Sequence, residues 1–309
     1  MTPAPIHQLR STAPTDAGEA WLDRLLDDPD DIASSSASLA TAVAVGDLID
    51  AADYALIGPE DERRRARQTD RLPFRAVCHL SRDFNGRRSG CSGTLIGPRV
   101  VLTAGHCLIS RTFGGPPRWI EVWVGRDGAA ALARIRSSHY LAPAGFVKRR
   151  DRAYDYGLII LPRPVADRGH WLSPVAPDDA TLKRLMTGRY LTVAGYPSDK
   201  PRGTLWVHQE RLKGFDRKRL RHSVDTCPGH SGSAIIAPID RSFAIIGVHV
   251  AGITDPETGR SFGCTPGSRL SPVSGFNTGI RLTPDLLKSL RGPGRPTGDP
   301  NRRLIRLKT

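Results

Sequence analysis

Long apolar runs are absent from this sequence. No stretch of its 309 residues approaches the roughly 18–20 unbroken apolar residues of a membrane-spanning helix, which excludes an α-helical membrane bundle. The start is equally bare. No basic residues followed by an apolar core of about 7–15 residues open the chain, so no ordinary signal peptide is expected. Cysteine is scarce, five in all, and no paired Cys/His spacing of the zinc type occurs, so no metal and no cofactor is expected. No internal repeat is apparent. Aromatic residues make up only 6%, and they interleave little with the basic runs, unlike the stacking platforms of nucleic-acid modules. What remains, 39% hydrophobic and 25% charged residues, suits a soluble protein with a real core and not a disordered chain.

Acidic residues are the minority, 31 against 45 Lys and Arg, for a net charge of +14. Taken alone, that figure invites a nucleic-acid partner. The distribution argues otherwise. Residues 1–60 carry Arg10 and Arg24 against eleven acids and net −9, leaving +23 on the remainder. The boundary falls at Pro59-Glu60-Asp61-Glu62-Arg63-Arg64-Arg65-Ala66-Arg67. An acidic arm precedes a basic body. The basic run at 213–221 and the basic tail read as solvated faces, and nucleic acid is not the expected partner.

The arm holds Trp21-Leu22-Asp23-Arg24-Leu25-Leu26, whose spacing suggests a short amphipathic helix, and 46–55 suggests a second. From about Leu72 the texture changes to short apolar runs bounded by Gly, Pro, Asp and Ser. Strands are expected at 76–80, 92–96, 100–103, 120–124, 131–135, 157–161, 190–194, 205–210, 233–236 and 244–250. Many short strands and few helical patterns argue for an all-β sandwich or barrel. One helix is well signalled: Thr283 can cap it, Pro284 suits its first position, and Gly292-Pro293 stops it. The tail at 291–309 is rich in Gly and Pro, then basic, and is expected to be disordered.

Three segments carry chemistry: Thr103-Ala104-Gly105-His106-Cys107, Tyr154-Asp155-Tyr156-Gly157-Leu158-Ile159-Ile160-Leu161, and Cys227-Pro228-Gly229-His230-Ser231-Gly232-Ser233. A serine hydroxyl is a poor nucleophile at neutral pH. It needs an imidazole to take its proton and a carboxylate to orient that imidazole. His106, Asp155 and Ser231 supply those types, with Asp151 the rival for the aspartate. A tight turn between the glycines beside Ser231 would let the Gly229 and Ser231 amides converge on an oxyanion. His230 adjoins the nucleophile but reads as structural, since adjacent side chains point apart.

These segments, with Cys91-Ser92-Gly93-Thr94-Leu95-Ile96 ahead of the histidine, resemble the chymotrypsin/trypsin-like serine peptidases. Gly195-Tyr196-Pro197-Ser198-Asp199-Lys200-Pro201-Arg202-Gly203-Thr204-Leu205-Trp206 and Asn277-Thr278-Gly279-Ile280-Arg281-Leu282 are most similar to the glutamyl endopeptidase branch. The resemblance covers about 70–290. It implies two perpendicular six-stranded antiparallel barrels with His106, Asp155 and Ser231 in the cleft between them. It also implies a polypeptide substrate, the bridges Cys91–Cys107 and Cys227–Cys264, and Cys78 left over. Thr226 and His249 occupy the places that bind an acidic side chain before the cut, and both can donate to a carboxylate. Asp225 aligns with the aspartate that gives trypsin its preference for Arg and Lys, so a basic preference stays open. Val250, Ala251 and Gly252 would form the edge on which an extended peptide pairs.

The expected organisation is an acidic extension at 1–68, a peptidase domain at 69–290 with its barrel boundary near 165–185, and the tail at 291–309. A monomer is expected. The arm reads as a pro-segment, removed after Glu60 or Glu62 by the enzyme itself or after Arg65 or Arg67 by a trypsin-like processor. Bridges argue for secretion or a periplasmic site, and the missing signal peptide leaves the cytoplasm as the alternative. A catalytically silent binding module on the same fold is the competing function.

Overall fold

Short runs of Val, Ile and Leu fold here into strands because each can turn alternate side chains into a core. The structure, a computed structural model, describes residues 56–57, 60–167, 169–188, 190–239, 242–253, 264, 275–291 and 297–309. The helices expected in the acidic arm lie outside the described residues. The strands are β1 (Arg64–Ala66), β2 (Val77–Phe84), β3 (Arg87–Gly97), β4 (Val100–Thr103), β5 (Trp119–Val124), β6 (Ala133–Ser137), β7 (Tyr140–Pro143) and β8 (Gly157–Ile160). They continue with β9 (Ser173–Pro174), β10 (Tyr190–Gly195), β11 (Leu205–Phe215), β12 (Arg219–His222), β13 (Ala234–Ile239), β14 (Ser242–Ala251), β15 (Asn277–Arg281) and β16 (Leu304–Arg306). Among the described residues four short helices interrupt them: α1 (Gly105–Leu108), α2 (Ala144–Arg149), α3 (Asp179–Thr187) and α4 (Pro284–Leu290).

The first sheet runs β16-β7-β8-β4-β3-β2-β5-β6. Its central hairpin, β2–β3, turns on Asn85-Gly86, both with positive φ, the two-residue loop whose twist matches antiparallel strands. Leu80, Leu95, Leu102, Ile120 and Leu158 fill its core. In the second sheet β11, β10, β13, β14, β15 and β12 pair in turn, and β12 returns to β11, closing a six-stranded barrel. Leu191, Val193, Leu212, Leu220, Ile235 and Ile246 pack inside it. The chain thus has the expected all-β, chymotrypsin-like double architecture. The first sheet is curled and stays open between β6 and β16.

The helix near the end begins at Pro284, with the Thr283 hydroxyl accepting from the Leu286 amide at 3.2 Å. Both ends of the body are more structured than the sequence suggests. The tail was expected to be disordered, yet Leu304–Arg306 forms β16 on the edge of β7, with Leu304 and Leu307 buried. Its few apolar residues suffice because a strand already waits at that edge. Arg64–Ala66, upstream of the expected domain start, forms β1 on β11. Arg63 just before it is buried and forks onto Asp61 (2.7 Å) and Asp199 (2.6 Å), while Lys200 reaches Asp61 at 2.8 Å. The two carboxylates hold the Arg63 guanidinium above its ordinary pKa despite its burial.

A buried charge stripped of its partner is costly. Asp199→Ala should therefore lower unfolding free energy by on the order of 3 kcal/mol in a urea titration, because Arg63 would keep only Asp61.

Candidate active site

Strand β4 ends where α1 begins, and this junction aims His106. The His106 Nδ1 lies 2.8 Å from Asp155 Oδ2, and the His106 backbone amide donates to Asp155 Oδ1 at 2.8 Å. Both carboxylate oxygens are thus committed to one residue. Such a clamp fixes the ring's orientation and places the proton of a neutral imidazole on Nδ1, leaving Nε2 as the base. Asp155 is buried two residues before β8, which pairs with β4 in the register Thr103↔Gly157. Asp151, the rival, is used otherwise: its carboxylate caps the short 3-10 turn Arg152–Tyr154 by accepting from the Ala153 amide at 2.9 Å. From β2, Arg82 donates to the carbonyls of His106 (3.2 Å) and Cys107 (3.3 Å), tying down α1 from behind.

The serine loop belongs to the second barrel but is moored to the first. Ser92, in β3, is its hub. The Ser92 amide donates to the Ser231 carbonyl at 2.9 Å. The Ser92 hydroxyl donates to the Gly229 carbonyl at 2.7 Å and accepts from the Tyr196 amide at 2.9 Å. The Cys91–Cys107 bridge runs alongside, with Cys107 Sγ 3.4 Å from the Ser231 carbonyl oxygen. Ser231 is therefore anchored next to the residue that follows His106. Sequence reading missed Ser92. Its only signal was its place between Cys91 and Gly93.

The loop's amides are oriented by their neighbours' carbonyls. The Pro228 carbonyl accepts from the Ser198 amide at 2.7 Å, and the His230 carbonyl accepts from the Ser233 amide at 2.8 Å. In a trans peptide the N–H points opposite to the C=O, so the Gly229 and Ser231 N–H groups turn away from these partners. Gly229 and Gly232 have φ of +101° and +85°. Any Cβ there would also strike backbone, the Tyr196 carbonyl at Gly229 and the Ser92 carbonyl at Gly232. His230 is buried, with its Nδ1 accepting from the Cys227 amide at 3.0 Å. Burial holds it neutral, well below the ordinary histidine pKa, so it supports the loop and is structural.

Thr226 and His249 are both fully buried. Asn277, from β15, donates to the Thr226 hydroxyl at 3.0 Å and to the Val224 carbonyl at 2.7 Å. The His249 Nδ1 lies 3.3 Å from Nε2 of His222, a second buried histidine held neutral by burial. Neither Asn277 nor His222 was singled out as a site residue, because each acts through a neighbour distant in sequence. Pairing of β13 with β14 stops at Ala234↔Val248, so Val250 and Gly252 lie beyond the last β13 partner.

Asp225 does not share this environment. Its carboxylate accepts from the amides of Ile57 (2.6 Å) and Glu62 (2.9 Å), while its own amide donates to His208 Nδ1 at 2.9 Å. An Nδ1 that accepts belongs to a neutral ring, and burial pushes His208 down to about 4. Burial likewise raises Asp225 to about 6, outweighing the two amides.

Two groups of possible metal ligands occur among the described residues. Cys91, His106 and Cys107 form one, but both thiols are spent in the disulfide. Glu62, His208 and Asp225 form the other, with Asp225 already engaged by backbone amides. The second bridge joins Cys227 and Cys264, and Cys78 is a free, buried thiol.

The profile of the trypsin-like peptidase domain family matches residues 91–248. A glutamyl endopeptidase of Bacillus licheniformis is 31% identical over 176 residues, covering 57% of this chain and 52% of its own length. The chain thus spans about half the length of that relative. A protein of Bacillus subtilis named extracellular metalloprotease is 27% identical over 234 residues, covering 75% of this chain and 67% of its own. Among solved structures, a Glu endopeptidase in complex with MPD superposes with a TM-score of 0.62 at 22% identity, covering 77% of this chain and 98% of that one. This last likeness bears on the fold.

The Asp225 carboxyl binds a proton more tightly folded than unfolded, so its contribution to stability is greatest below about pH 4 and is lost as pH rises through about 6. Relative to Asp225→Asn, the wild type should lose on the order of 2–3 kcal/mol across that window, read from denaturant titrations at each pH.

Proposed function

The chain belongs to the trypsin-like peptidase family, and from that footing we propose that it is a serine endopeptidase that cuts polypeptides after acidic residues. Ser231 attacks the scissile carbonyl. His106 takes the serine proton and returns it to the leaving amine. Asp155 orients His106 and stabilises its charged form. The Gly229 and Ser231 amides hold the oxyanion. The observation that carries the reading is the doubly held His106–Asp155 pair, with Ser231 anchored beside it through Ser92.

The acidic preference rests on Thr226 and His249. The His249 Nδ1 faces His222 Nε2 at 3.3 Å, and a proton on the other ring nitrogen, Nε2, would make His249 a donor suited to a carboxylate. The Asp225 charge, which would repel an acidic side chain, is engaged by two amides of the incoming segment. An extended substrate would pair along Val250 to Gly252, where β13 no longer does.

The acidic arm serves as a pro-segment, drawn to the basic body by long-range attraction. Cleavage after Glu60 or Glu62 would separate Ile57 from Asp225, and cleavage after Arg65 would cut β1. Removal that spares these contacts falls before Ile57. Two disulfides suit an oxidising compartment, so the enzyme acts outside the cytoplasm. No helix among the described residues is long and apolar enough to cross a membrane.

A peptide library scored by kcat/KM should show acidic residues preferred before the cut. Ser231→Ala should abolish hydrolysis, by about 10⁴-fold or more. Thr226→Val and His249→Ala should each cost acidic substrates about 10–100-fold, as loss of a hydrogen bond to a charged group does. Asp225→Asn should leave the acidic preference standing. A trypsin-type pocket would instead cleave after Arg or Lys and lose that activity in the Asn variant.

A further inference from the structure

Asp155 stands between two tyrosines, and both are tied to the end of the chain. The Tyr154 hydroxyl donates to Asp299 Oδ2 at 2.6 Å. The Tyr156 hydroxyl lies 3.0 Å from the Ser289 hydroxyl of α4, and both groups are buried. The residue that holds His106 is thus gripped on either side by C-terminal elements.

The segment 297–309 completes the frame. The other Asp299 oxygen accepts from the Asn301 amide at 2.9 Å, so one carboxylate caps the short turn Pro300–Arg302 and takes the tyrosine. Arg302 is buried. Its Nε lies 3.5 Å from Asp285 of α4, and its guanidinium lies 5.6 Å from the centre of the Tyr154 ring. Strand β16 then pairs with β7, the neighbour of β8, in the register Leu304↔Pro143. The Arg303 carbonyl accepts from the Ala144 amide at 2.9 Å, and the Leu307 amide donates to the Tyr140 carbonyl at 3.0 Å. Helix α2 sits between this segment and α1. A Cβ on Gly105, the residue before His106, would meet the Phe146 ring of α2 at 2.8 Å. The far end of the chain therefore backs Asp155 through its two flanking tyrosines and the His106 helix through α2. None of it lies in the stretch 91–248 that matches the family.

We propose that residues 297–309 are a positioning strap for the His106–Asp155 pair, with the Tyr154–Asp299 hydrogen bond as its principal link. The strap touches no substrate. It fixes the backbone from which the Asp155 carboxylate reaches both the ring and the amide of His106, where small displacements cost rate. The proposal rests on the reading of His106 as a working base.

The test uses the active protein with its C-terminal segment intact, a peptide ester, and two variants. Tyr154→Phe removes only the hydroxyl, and a chain ending at Arg291 removes the strap. Unfolding curves establish that each is folded. The expected result for Tyr154→Phe is a fall in kcat of about 10-fold with KM within twofold, and a larger fall for the truncation. The low-field proton resonance of the His106 Nδ1–H···Asp155 bond should shift or broaden in both. A merely stabilising tail would change unfolding and leave kcat and that resonance alone. A folded Tyr154→Phe with wild-type kcat and an unmoved resonance overturns the proposal, even where the truncated chain fails to fold. So does a change confined to KM. If the folded wild type neither turns over esters nor reacts with a fluorophosphonate, the peptidase reading fails and takes the strap's role with it.

Discussion

Asp155 spends both carboxylate oxygens on one residue, and the rest of the site depends on that commitment. One oxygen meets the His106 ring and the other its backbone amide. The ring therefore cannot turn without loss of one bond, nor the α1 backbone shift without loss of the other. Every nearby contact serves this arrangement. Strand β8 delivers Asp155, β4 delivers His106, and their pairing sets the distance between them. Ser92 brings the serine loop of the other barrel to the same place with bonds from both its amide and its hydroxyl. The two sheets also share apolar packing, with Ile236, Ile245, Val248 and Ile280 of the second joining the core of the first, and these directional polar contacts add a sharper register to it.

The net charge of +14 has a structural meaning. It is the balance of an acidic arm and a basic body, and the junction between them is a built feature. Arg63 is buried between two aspartates, and Asp225 is buried against two amides. The carboxylate of Asp225 is thereby occupied by the protein's own backbone.

The catalytic types and most central strands were legible in the sequence because they are local. Val100–Thr103 is a run of apolar residues and threonine ending three residues before the histidine, and Gly157–Ile160 begins two residues after the aspartate. Strands β12, β15 and β16 were not legible. They read Arg-Leu-Arg-His, Asn-Thr-Gly-Ile-Arg and Leu-Ile-Arg, too polar or too short to announce themselves, and they form because a partner edge is already present. The same holds for Ser92, Asn277 and Asp299. Their partners lie 137, 51 and 145 residues away, a relation that no spacing rule reads. Asp225 was legible as a residue but not in its direction, since only the fold shows which backbone it faces.

The most direct test of the central claim is peptide mapping after reaction with a fluorophosphonate. The sample is a folded protein whose amino terminus has been determined. A clamped His106 acting on Ser231 predicts one stoichiometric adduct, on Ser231, that disappears in His106→Ala while the fold is retained. An adduct on another residue, or no adduct on the wild type, would contradict the account.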